Sequence, residues 1–305
     1  MKQALLKLHI AIFLAGTSGL FGKWISLSET ALVWYRVLLS LIILGLVLAA
    51  TRSFKKLPFD HFWRIGSAGV ILVAHWIFFY ASIKAANVSV GVVCLSAVAF
   101  ITALLEPLFS KTAKFSLKDI LLSIISVIGI VCIFSFDSQY RLGITYGIIS
   151  STLVALLMIA NRQLGTLKQK DDKNYPSWFI LFIELLCGLA ALSVFVLTST
   201  FITSGFSLPE TLNDLALNYS PTSSDWTYLA ILAAVVTITP YALKIDALKT
   251  ISAFTVNLAN NMEPVYSIIL AAIFFKELDE LNLSFFIGLS LIALSVVLQT
   301  ITIKK

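Results

Sequence analysis

Glu263 stands in the middle of a long apolar run, with Asn257, Asn260, Asn261 and Pro264 around it. Asn257, Asn260 or Asn261, and Pro264 follow the i, i+3/4, i+7 spacing, so on a helix they share one face. Pro264 has no backbone N–H and frees a carbonyl one turn earlier, near Asn260. A carboxylate and amides on one face of a kinked helix suit a polar ligand. The carboxylate can hold a cationic amine, carry a proton, or do both. The same amides can instead join helices through interhelical hydrogen bonds.

Other polar groups are scattered through apolar surroundings. An ionisable side chain at the centre of a bilayer costs about 2.5–3.5 kcal/mol on insertion scales, so it faces a cavity or a partner. His75, Trp76 and Tyr80 share one stretch, and Trp76 lies too deep to be an interfacial anchor, which suits a cavity wall. His75 either carries protons or is simply hydrogen-bonded. Thr237, Thr239, Pro240 and Tyr241 form a second polar stretch, with Tyr241 offering an apolar ring and a polar tip. Lys23 and Lys84 close their apolar runs on one side, as a mouth for a carboxylate or as chains that snorkel to headgroups. Lys244 and Asp246 read as an inner gate or a solvated pair. Arg36 and Glu184 occupy matching places in the two halves of the chain and read as structural, as an ion pair or with separate partners. Glu106 reads as a partner of Lys111 or a neighbouring Lys, and Asn161 as a weaker lining residue.

These residues lie on ten apolar stretches, near 8–24, 31–50, 62–83, 89–110, 117–136, 141–161, 176–199, 226–248, 252–275 and 282–302. Numbered 1 to 10, each meets the roughly 20 residues that a helix needs to cross the hydrocarbon core. The chain is 59% hydrophobic and 12% charged, with a mean hydropathy of +0.95. A soluble domain needs far more surface charge. The expected product is an all-α integral membrane protein of ten transmembrane helices.

The net charge of +6 reads as topology, not as nucleic-acid binding. With the N-terminus inside, 17 Lys and Arg fall on the inner side and four (Lys23, Lys84, Arg141 and Lys276) on the outer, with Arg36 inside segment 2. The positive-inside rule puts both termini in the cytoplasm, at the cell (inner) membrane. Lys2 and Lys7 before an apolar run imitate a signal peptide, but cleavage near Ala15-Gly16-Thr17 would remove segment 1. Cys94, Cys132 and Cys187 all lie in apolar segments and read as packing residues.

The ten segments divide into two five-helix halves, 1–138 and 139–305. An odd number per half inverts the second half relative to the first, which builds one site able to open to either side. Local similarity supports the division. Segment 3 carries Phe79-Tyr80-Ala81-Ser82-Ile83-Lys84, and segment 8 carries Pro240-Tyr241-Ala242-Leu243-Lys244. Ser89 opens segment 4 and Ser252 opens segment 9. The outer loop 200–225 has Leu208, Leu212 and Leu215 spaced three to four apart after Pro209, which fits a short surface helix or a linker.

The pattern resembles the drug/metabolite transporter superfamily, EamA type. The resemblance covers the whole chain. It rests on the two five-helix halves, the Tyr-Ala of segments 3 and 8, Glu263-Pro264, Phe274-Phe275-Lys276-Glu277 and Trp34-Tyr35-Arg36. It implies a ten-helix transporter whose central cavity is lined mainly by segments 1, 3, 4, 6, 8 and 9, with segments 2 and 7 peripheral. One departure is Glu106-Pro107 in segment 4. Counted from Ser89 and Ser252, Glu106 is seventeen residues along and Glu263 eleven, so the counterpart of Glu263 is Phe100.

No Gly-rich phosphate loop, metal motif or nucleophile–base set is recognisable. The expected function is secondary transport of small polar or amphiphilic metabolites, amino acids or similar zwitterions first, by export and alternating access. Glu263 and the Asn residues would hold the polar head, while Trp76, Phe100 and Tyr241 would contact the rest. The expected partners are a small-molecule metabolite and the lipid bilayer, with a monomer as the working unit and no cofactor, metal or nucleic acid. The rival is a polytopic enzyme acting on a lipid-linked substrate.

Overall fold

A computed structural model of the chain describes residues 2–109, 115–134, 140–169, 173–260, 262–275 and 283–303. Among these, regular structure is helical, apart from one isolated antiparallel bridge between Lys168 and Asn174. In the first half the helices are α1 (Lys2–Gly16), α2 (Ser18–Trp24), α3 (Glu29–Ala50), α4 (Phe59–Ala85), α5 (Val88–Cys94), α6 (Val98–Phe109) and α7 (Leu117–Phe134). In the second they are α8 (Arg141–Leu164), α9 (Ser177–Thr203), α10 (Leu208–Asn218), α11 (Ser223–Ile231), α12 (Thr239–Leu248), α13 (Ala253–Asn260), α14 (Met262–Phe275) and α15 (Leu283–Ile303).

Six stretches are long and apolar enough to cross a membrane among the described residues: Glu29–Ala50, Phe59–Ala85, Val88–Phe109, Arg141–Leu164, Ser177–Thr203 and Ser223–Leu248. The sequence led us to expect ten. Segment 1 is divided at Thr17, so it is not one long helix, and residue 261 of segment 9 lies outside the described residues. Segments 5 and 10 run into residues outside those described.

Among the described residues, three segments are interrupted near their middles. Segment 1 breaks at Thr17, whose N–H and hydroxyl both donate to the Leu14 carbonyl, at 3.2 and 2.7 Å. Segment 4 tightens into a 3₁₀ turn at Leu95–Ala97. Segment 8 widens into a π-helical turn at Leu232–Ile238, upstream of Pro240. There the Thr237 hydroxyl donates to the Leu232 carbonyl at 2.7 Å, five residues back along the widened turn.

Segments of the two halves meet head to tail. α5 packs on α14 and α6 on α13, so segments 4 and 9 run antiparallel. α1 packs on α12 while α2 meets α11, so segments 1 and 8 do likewise. α4 is the central helix, packed against both α8 and α9. Glycines permit this closeness. A Cβ on Gly69 of α4 would lie 2.0 Å from the Glu184 carbonyl oxygen of α9, and one on Gly147 of α8 would lie 2.6 Å from the Cys94 side chain. Beyond the C-terminal end of α9, Gly205 with φ +64° turns the chain into α10. α10 places Leu215 with Trp34 and Tyr35, while Leu208 and Leu212 remain exposed.

Candidate functional site

The three interruptions lie beside one cavity. Its volume is about 40 Å³, and residues of seven segments line it. Ser18 comes from segment 1, Arg36 from segment 2, and His75 and Trp76 from segment 3. Leu95 and Val98 come from segment 4, Val154 from segment 6, Tyr241 and Lys244 from segment 8, and Asn260 and Glu263 from segment 9. A helix that loses its regular ladder beside a cavity can place polar groups there without facing lipid.

At one edge lies the Arg36 guanidinium, 1% exposed. Its Nε donates to the Thr237 hydroxyl at 2.8 Å, and Nη1 donates to the Tyr80 hydroxyl at 2.8 Å and the Ser18 hydroxyl at 3.3 Å. The guanidinium carbon stands 3.9 Å from the centroid of the Trp76 ring, a cation–π contact. Trp76 in turn donates from its indole nitrogen to the Tyr241 hydroxyl at 2.7 Å. Arg36 therefore joins α2, α3, α4 and the π turn in a single polar cluster.

At another edge Lys244 Nζ approaches Glu263 Oε2 at 3.5 Å, both side chains nearly buried. His75 also lines the cavity. Its Nδ1 lies 3.0 Å from the Ser150 carbonyl oxygen and 2.8 Å from the Ser150 hydroxyl. A carbonyl can only accept, so Nδ1 carries a proton. The Ser150 hydroxyl also donates to the His75 carbonyl at 3.2 Å, which locks α4 to α8. The remaining wall is apolar, with Phe79, Leu95, Val98, Val154 and Val236.

The structure thus brings together Glu263, Asn260, Tyr241, Trp76, His75 and Lys244. Tyr80 is fully buried behind this wall and acts through Arg36. Phe100 is partly exposed on α6 and is not among the lining residues, whereas Leu95 and Val98 of the same segment are. Lys23 and Lys84 are exposed at helix ends, Lys23 with its ammonium 4.5 Å from the centroid of the Phe275 ring. Asn261 and the side chain of Asn257 lie outside the described residues.

Three readings of the sequence change. Arg36 does not pair with Glu184: it lines the cavity. The Glu184 carboxylate is buried in α9, faces the Asn161 amide and forms no hydrogen bond with it. Segment 2 reaches the centre because Ser18 and Thr237 are small enough to let the long Arg36 side chain in between α2 and the π turn. Lys244 and Asp246 do not act as a pair. Lys244 turns to Glu263, while Asp246 takes Lys7 at 2.7 Å and Lys249 at 3.6 Å. Glu106 accepts from the N–H groups of Ala253 and Phe254 at 3.3 and 3.0 Å, at the start of α13, with Arg162 3.7 Å away. Lys111 lies outside the described residues. The depth of Arg36 inside an apolar run was the signal that could have marked it as a lining residue.

The EamA-like transporter family matches residues 2–135 and again 141–301. The chain belongs to this family. It is a multi-pass membrane protein of the drug/metabolite transporter type. A solved crystal structure, described only as that of a protein, is similar over 99% of both chains with a TM-score of 0.70 and 14% identity, which shows the fold alone. No curated protein matches the chain.

Proposed function

We propose that this EamA-family protein is a secondary transporter of small polar or amphiphilic metabolites, amino acids or similar compounds first, and that it exports them by alternating access. Its ten segments cross the cell (inner) membrane as two inverted repeats, 1–138 and 139–305, with both termini in the cytoplasm. It works as a monomer and is not an enzyme. The cavity residues hold the substrate: Glu263, Asn260, Tyr241, Trp76 and His75 directly, with Asn257 and Asn261 on the same segment as Glu263. Tyr80 acts through Arg36, Phe100 flanks the site, and Lys23, Lys84 and Lys244 serve its mouths.

The observation that carries this reading is a cavity lined by both halves, at which three segments are interrupted among the described residues. Broken helices around a midplane site, drawn from two antiparallel halves, suit rocking of one half against the other. Amphipathic lining, with charged groups on two edges and an aliphatic wall, suits a substrate with a polar head and an apolar body.

Uptake into proteoliposomes tests it. The purified chain should speed the passage of at least one such metabolite across the bilayer, relative to empty vesicles, without any nucleotide. If a broad panel crosses no faster with the protein than without it, and the folded protein turns over a lipid, the rival reading of a membrane enzyme takes its place.

A further inference from the structure

Arg36 and the charges around it carry a conclusion about which part of a substrate the cavity reads. A guanidinium has five N–H donors. Nε spends its one on Thr237, and Nη1 spends its two on Tyr80 and Ser18. Nη2 makes no hydrogen bond to any described residue, so two donors of a buried, cavity-lining cation remain for something else. The three partners of Arg36 are all neutral hydroxyls, and no described carboxylate lies within 4 Å of it.

The only described carboxylate of the cavity is already engaged. Glu263 faces Lys244 at 3.5 Å. Among the described lining residues the charged groups are therefore two cations, Arg36 and Lys244, and one anion, Glu263. A buried charge is tolerated when an opposite charge and hydrogen bonds compensate it. An ammonium brought to Glu263 would have to displace Lys244 and would leave the cavity more positive still. A carboxylate brought to Nη2 would complete the guanidinium and cancel the excess.

We infer that the cavity recognises the carboxylate of an organic anion through Nη2 of Arg36, and that an amine on the same molecule is dispensable. This rests on the transporter reading for its biological meaning and narrows the substrate to carboxylates with an apolar body. The body lies along Phe79, Leu95, Val98 and Val154, and the carboxylate sits at the Arg36 edge. The structural duty of Arg36 as a strut between α2, α4 and the π turn accounts for three of its donors and leaves these two unexplained.

A matched series of probes tests the inference by binding, apart from transport. Phenylacetate, phenylacetamide, phenethylamine and phenylalanine share one ring and differ in charge. Thermal shift of the purified full chain should show stabilisation by phenylacetate at lower concentration than by phenylalanine, and none by the amide or the amine. Arg36→Gln should weaken phenylacetate binding roughly tenfold or more, the scale of a lost hydrogen-bonded charge. If Arg36→Gln does not fold, the charge series on the unaltered chain decides alone. Stronger binding of the amine or of phenylalanine, binding of phenylacetate undiminished by Arg36→Gln, or stabilisation by none of the four overturns the inference. The two readings fail separately. Phenylacetate that binds through Arg36 but does not cross proteoliposomes sinks the transporter and leaves the anion site. Amines that cross while carboxylates do not sink the anion site and leave the transporter.

Discussion

The ammonium of Lys244 lies 3.5 Å from the carboxylate of Glu263, and both side chains are almost withdrawn from solvent, at 7% and 12% exposure. One comes from α12, after the π turn of segment 8, and the other from α14 of segment 9. The pair therefore connects segments 8 and 9 of the second half beside the cavity. Removing one member leaves the other as a buried lone charge, which costs about 3–5 kcal/mol.

This sets up a double-mutant cycle. Lys244→Met and Glu263→Gln should each lower the thermal stability of the purified protein. The double variant should be more stable than the sum of the two losses allows, because it leaves no orphaned charge. Simple additivity in the melting temperatures would mean that the two side chains do not compensate one another.

Glu106 caps the start of α13 from the opposite half of the chain, through the N–H groups of Ala253 and Phe254. A carboxylate there satisfies open donors and meets the positive end of the helix dipole. Glu106→Ala should cost about 1–2 kcal/mol, read as a lowered melting temperature. It should also speed alkylation of a cysteine placed at Ser252, since α13 then frays. Unchanged alkylation would show that the cap does not hold the helix end.

Gly69 lets α4 and α9 touch. An added Cβ would meet the Glu184 backbone carbonyl at 2.0 Å, and backbone cannot step aside. Gly69→Ala should destabilise by about 1–3 kcal/mol or more and reduce the folded yield. Gly205→Ala meets nothing within 4 Å. It should lose only about 1 kcal/mol, from its left-handed backbone. Equal losses at the two sites would contradict the close helix contact.

Orientation can be read chemically. Ser224 and Lys173 are both exposed and stand on opposite sides in the proposed topology. In intact cells a membrane-impermeant thiol reagent should label Ser224→Cys at once and Lys173→Cys only after permeabilisation. The reverse pattern would invert the protein in the membrane.

The breaks were only partly legible. Pro240, just after the π turn of segment 8, announces a lost backbone bond, because proline has no N–H to give. The turn at Leu95–Ala97 and the interruption at Thr17 have no proline near them, and only packing against α14 and its neighbours reveals them. Phe100 was selected by counting from Ser89, which assumes a regular helix. The 3₁₀ turn at Leu95–Ala97 is not one: a 3₁₀ turn has 3.0 residues per turn in place of 3.6, so positions beyond it rotate away from where counting puts them.

What the amino-acid order determined alone is the class of molecule. Runs of apolar residues must be helices in lipid, the positive charges favour one orientation, and Glu263 beside Pro264 marks a polar point at membrane depth. These are properties of single segments, legible one at a time. What only the tertiary structure decided is which charge answers which. Lys244 chooses Glu263 over Asp246, Glu106 chooses the N-terminus of α13, and Arg36 leaves Glu184 for three hydroxyls and the cavity. Electrostatic partners are fixed by distance across helices, and distances between segments up to two hundred residues apart are set by packing, not by spacing in the chain.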